Sequence, residues 1–206
     1  MRFSTVAAAA LVVAAGLALR PAAIAQDASE LREVASFSSI ADEAERSRAL
    51  FTEMAKVLQH PRCLNCHPVD DAPRQGMAMA AHQPPVVRHD ESGFGAPGMR
   101  CNTCHGAQNV AYVAGSGSIP GHEPWHLAPK SMGWIGLTGG QICEQIKDPE
   151  RNGGKTLAEL HEHNAKDGLV GWGWEPGEGR EPAPGSQKLF GELTLAWIET
   201  GAHCPG

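Results

Sequence analysis

Cys63-Leu64-Asn65-Cys66-His67 and Cys101-Asn102-Thr103-Cys104-His105 are two copies of one pattern, C-x-x-C-H, in a chain of 206 residues. Two thiols at this spacing can add across the two vinyl groups of a porphyrin. The histidine that follows can then approach the iron from the same side, which makes C-x-x-C-H the attachment signature of c-type haem. Read this way, Cys63, Cys66, His67, Cys101, Cys104 and His105 bind two covalent haem c groups, with His67 and His105 as the proximal iron ligands. The competing reading is a Cys₄ zinc site. The histidine directly after each pair, and the Gly-, Pro- and Met-rich loops around them, favour haem.

Outward from the motifs, the composition agrees with a small chain that is short of side-chain mass. Aromatic residues are 5% of the chain, while Gly numbers 24 and Pro 15. A core so thinly supplied calls for something else in the interior, and two haems would serve. The formal net charge of −6 excludes a nucleic-acid binder, which needs a basic surface to neutralise phosphates.

Residues 1–25 read as a secretory signal peptide: Arg2, then an apolar run from Val6 to Leu19, then Ala23-Ile24-Ala25 as a small-x-small cleavage site. The run is too short to span a bilayer comfortably. The product is expected to be exported and periplasmic, with a flexible leader over 26–39, a single di-haem domain over 40–206 and no membrane span. Of the six cysteines, Cys143 and Cys204 fall outside the motifs. Two spare thiols in an exported chain most simply form a disulfide.

The expected architecture is all-α, cytochrome c-like: a few short helices on long ordered loops wrapped around the haems, with no strand. Leu50, Phe51, Met54, Val57 and Leu58 mark one face of a helix over 40–60. Thr138 with Gln141, and Thr156 with Glu159, are capping boxes that open two more. The second of these runs to Ala165, with Gly168 as its C-cap. Ser186 caps a last helix, which Gly201 terminates. The side chain on the far face of each iron decides between electron transfer and an open, reactive site. His82, held by Gln83-Pro84-Pro85, and His126, in the apolar Trp125-His126-Leu127, are the expected distal ligands. Met77, Met79, Met132 and His163 are held in reserve.

Further words in the second half are Trp125-His126-Leu127-Ala128-Pro129, Gln145-Ile146-Lys147-Asp148-Pro149, Arg151-Asn152-Gly153-Gly154, Trp172-Gly173-Trp174 and Gly201-Ala202-His203-Cys204-Pro205. Together with the two motifs, the chain from about residue 46 onward resembles small exported di-haem cytochromes labelled as a subunit of isoquinoline 1-oxidoreductase. The resemblance implies an electron acceptor for a molybdenum hydroxylase of the xanthine dehydrogenase type, passing electrons to a downstream cytochrome or oxidase. The family pattern has Asp-Asp where this chain has Met77-Ala78, so no role carries over to that loop. The expected function is therefore electron transfer between redox partner proteins rather than catalysis by this chain. A di-haem peroxidase-like enzyme and a haem-based sensor with one open iron are the alternatives.

Overall fold

The computed structural model describes residues 30–90, 92–112 and 117–206. The signal peptide expected over 1–25 lies outside the described residues. Four helices form the body of the fold: α1 (Glu43–Leu58), α3 (Gly139–Lys147), α4 (Leu157–Lys166) and α6 (Gln187–Glu199). The one-turn helices α2 (Pro61–Leu64) and α5 (Gly168–Gly171) lie between them.

Each long helix begins where a side chain can satisfy a free backbone N–H. Asp42 accepts from the amide of Glu45 at α1, and Ser186 accepts from Leu189 at α6. Both capping boxes are formed in full, Thr138 with Gln141 at α3 and Thr156 with Glu159 at α4. One boundary differs from its expectation. Gly168 does not cap α4; Asp167 does, and its carboxylate accepts from Leu169 and Val170 to start α5.

The apolar face of α1 packs on α3 and α6, and α4 packs on α6. Leu50, Phe51, Met54, Val57, Ile142, Ile146, Leu160, Phe190, Leu193 and Trp197 form the centre of the core. Leu31 and Phe37, within the expected leader, join it. Asn152, 1% exposed, is its most deeply buried amide side chain. It donates to the carbonyls of Ile146 and Lys155 at 2.8 Å each and accepts from the Lys155 amide. The Arg151–Gly154 turn is thus a structural joint between α3 and α4.

The remainder of the chain carries three two-stranded antiparallel hairpins: β1 (Arg74–Gln75) with β2 (Ala80–Ala81), β3 (Gly95–Ala96) with β4 (Met99–Arg100), and β5 (Val110–Ala111) with β6 (Ser118–Ile119). The all-α expectation is therefore corrected to a mixed fold of helices and short strands. Ladders of two residues are too short to show the alternation by which strands are read from sequence. The expectation of an interior filled by haem is corrected as well, because helix side chains fill the core described above. No helix among the described residues is long and apolar enough to cross a membrane.

Candidate functional site

Both cysteine motifs sit on tight turns. The amide of His67 donates to the carbonyl of Cys63 at 3.1 Å, and that of His105 to the carbonyl of Cys101 at 2.9 Å. Backbone bonds join the segments around them: Ala128 N–H to Cys66 O at 3.1 Å, Trp134 N–H to His67 O at 2.9 Å, and Leu127 N–H to Gly93 O at 3.0 Å. Gly93 is required at the last contact. Its φ is +71°, and a Cβ there would collide with the Leu127 carbonyl.

These segments, the three hairpins and the Trp172–Glu181 loop enclose a cleft of about 580 Å³. That is a size typical of small-molecule sites. Cys66, Cys101, Cys104, His82, His105 and His126 are all in its wall. Cys63 and His67 are not. Cys63 packs against the helical core, and the His67 ring stacks on Trp134 at 3.4 Å. The first motif thus sends one thiol and its imidazole away from the cleft, while the second faces it with all three groups.

The imidazoles share one feature. His67 Nδ1 bonds to Met132 O at 2.8 Å, His82 to Pro84 O at 2.8 Å, His105 to Pro120 O at 2.7 Å and His126 to Leu127 O at 2.9 Å. A carbonyl can only accept, so in the neutral ring the proton resides on Nδ1 and Nε2 keeps its lone pair. The cleft therefore carries three acceptor nitrogens, with the rings of His82 and His105 5.9 Å apart. Trp125 stacks on His105 at 4.7 Å and meets Trp172 edge-on at 5.0 Å. Trp172 is fixed by its indole N–H to Asn109 Oδ1 at 3.1 Å.

Among the described residues, five arginines line the same cleft, Arg62, Arg74, Arg88, Arg100 and Arg180, against one carboxylate, Glu181, with Arg74 also paired to Asp70 at 2.6 Å. The guanidinium groups of Arg62 and Arg180 lie 5.8 and 5.9 Å from the centre of the Trp172 ring. Burial lowers the pKa of both, and the charge of Arg180 lowers that of Arg62 further. Met77, Val87, Met99 and Tyr112, four of the large apolar residues most exposed on the protein, are also in the cleft wall.

The two thiols of the first motif are protonated and sluggish by position. Burial pushes Cys63 up to about 12, with the neighbouring Cys66 adding to it. Burial, and then the neighbouring Cys101, push Cys66 up to about 11. Cys66 and Cys101 lie in the wall of the same cleft, where the two motifs meet.

His67 gives the fold an acid sensitivity. Burial drives its imidazole down from 6.5 to about 3. The unfolded chain takes up that proton near 6.5 and the folded chain only near 3. The unfolded state therefore binds more protons across this window, and stability falls as pH drops through it. Between pH 7 and pH 5 we expect a loss of about 1 kcal/mol from this residue, after discounting for its partial exposure. Urea midpoints at the two pH values check this, and a His67→Phe variant should lose the slope. An unchanged slope in that variant would assign the acid sensitivity elsewhere.

The reserve residues are dispersed. Met132 is buried in the helical core, His163 pairs with Asp167 at 3.3 Å, and Met77 sits on the cleft rim. Cys143 and Cys204 are joined in a disulfide, and the other four cysteines are free thiols. Among the described residues, no group of three or more His, Cys, Asp or Glu side chains is placed to hold a metal ion. This corrects the expectation of two ligated haem irons on His67, His105, His82 and His126. The electron-carrier, peroxidase-like and sensor readings built on it are corrected with it. Sequence reasoning also missed the arginines of the cleft, which are scattered from position 62 to position 180 with no local pattern to mark them. Comparison of the chain with protein-family models, curated proteins and solved structures gives no match, and the resemblance to isoquinoline 1-oxidoreductase subunits is not carried further.

Proposed function

We propose that this chain is an exported binding protein rather than an enzyme, and that its cleft takes a small organic ligand with an apolar body and acidic groups. The observation that carries the reading is the charge of the wall. Five arginines face one carboxylate there, in a chain whose acidic residues outnumber its basic ones by 23 to 17. Gathering cations against the overall charge, in a partly desolvated cleft, suits an anion. The apolar body is read from Trp125, Trp172, Val87 and Met99 in the same wall, and the bare Nε2 atoms of His82, His105 and His126 add acceptors for a ligand donor. Export is read from the pattern of residues 1–25 and agrees with the disulfide.

The fluorescent probe 8-anilinonaphthalene-1-sulfonate has this chemistry. It should bind the folded protein saturably, one per chain. Trp125→Ala should weaken it by about tenfold, since an aromatic contact of this kind contributes roughly 1 kcal/mol beyond its area. Failure of the wild-type protein to bind, or equal binding by a folded Trp125→Ala variant, would contradict the proposal.

A further inference from the structure

Arg88 is 7% exposed, in a segment with little regular structure, and it is part of the cleft wall. Its backbone is anchored by its N–H to Asp71 O at 2.6 Å, and its Nη1 donates to Ala128 O at 2.5 Å. Nε and Nη2 have no hydrogen-bond partner among the described residues, although both are buried. Among the described residues its carboxylate neighbour is Asp71, whose Oδ1 lies 3.8 Å from Arg88 Nε, beyond hydrogen-bond range. Asp71 is also the partner of Lys130, at 2.9 Å. One carboxylate is thus shared between two cations and favours the other one.

A buried guanidinium without acceptors is costly, and such groups are ordinarily paired. Aspartate or glutamate could have completed the pairing from any neighbouring loop. Here the positive charge is left in surplus, next to a cleft already rich in arginine. Resting on the reading of the cleft as a ligand site, we propose that Arg88 is the anchor for an oxyanion of the ligand, a carboxylate, sulfonate or phosphate that accepts from Nη2 and Nε together. The planar guanidinium presents these two donors side by side, which matches two oxygens of one acidic group. Arg62 and Arg180, which lie about Trp172 in the same wall, engage the rest of the ligand. Arg88 sets which end enters.

Two dyes of nearly the same shape test this on the full chain. 8-Anilinonaphthalene-1-sulfonate carries the oxyanion, and N-phenyl-1-naphthylamine lacks it. The wild-type protein should bind the sulfonate at least about tenfold more tightly, as expected for a charge-assisted pair in a partly dry site. Arg88→Met should bring the two affinities together by weakening the sulfonate alone, with the neutral dye unchanged. An Arg88→Met variant that keeps the wild-type preference overturns the assignment. Should that variant not fold, Arg88→Lys gives the answer, since it keeps the charge but not the pair of donors side by side. It should lose most of the preference for the sulfonate, and an Arg88→Lys variant with the wild-type preference overturns the proposal. Wild-type binding of both dyes with equal affinity would sink the role of Arg88 and leave the cleft standing. Binding of neither dye would sink the cleft reading itself.

Discussion

Replacing Cys143 and Cys204 together by alanine should lower the unfolding free energy by about 4 kcal/mol, as the chain-entropy model gives for a loop of this length. The two residues are 61 apart in sequence, with their Cα atoms at 5.6 Å. The bond closes a loop that contains the second half of α3 and all of α4, α5 and α6, so without it the unfolded chain gains the freedom of nearly a third of the protein. Cys143 is fully buried on α3, a helix that packs on α1. Small folded proteins are stable by about 5–15 kcal/mol, so the loss takes a large share of the margin. Urea unfolding of the double variant, beside the wild type with and without reductant, measures it. A shift below about 1 kcal/mol would show that the reduced chain is held closed by other contacts.

Trp197→Ala should cost about 3–5 kcal/mol, the usual range for removing a large buried aromatic side chain. Trp197 is fully buried on α6 and lies 5.1 Å from the Phe51 ring of α1, centre to centre. Its indole N–H donates to the carbonyl of His203 at 3.1 Å. Ser47, also fully buried on α1, donates to the Trp197 carbonyl and accepts from the His203 amide. One side chain therefore links two helices and the C-terminal segment that carries Cys204. For that reason its loss and the loss of the disulfide should not add: both release the same segment, and the triple variant should fall short of the sum. Equality with the sum in thermal or urea unfolding would contradict this shared role.

The helices were legible because their signals are local. Thr138, Thr156 and Ser186 each stand where a helix begins, and a cap needs only the next three residues to form. The apolar face of α1 was equally plain from Leu50 to Leu58. The hairpins were not, because each ladder spans two residues and its turn is set by glycines such as Gly76 and Gly98, at φ of +70° and +80°. Such glycines look the same in sequence as those of any loop.

The site was legible only in part. His82, His105, His126, Cys66, Cys101 and Cys104 were singled out from sequence, and they do share one cleft. C-x-x-C-H spacing, however, fixes only a turn. Where its thiols and imidazole point depends on the chain packed around it, and Cys63 and His67 turn towards the core and Trp134. The arginines were invisible for the opposite reason. Arg62, Arg88 and Arg180 come from three distant segments, and each looks like an ordinary surface charge until the loops bring them together.

The measurement closest to the central claim uses the five tryptophans as position markers. Nitrogen-15 labelling of their indole groups gives one signal each, to be followed by NMR as 8-anilinonaphthalene-1-sulfonate is added to the folded protein. Trp125 and Trp172 should move together and saturate at one dye per chain, while Trp134, Trp174 and Trp197 stay in place. Movement confined to the other three, or no movement at all, would contradict the assignment of the arginine-lined cleft as the ligand site.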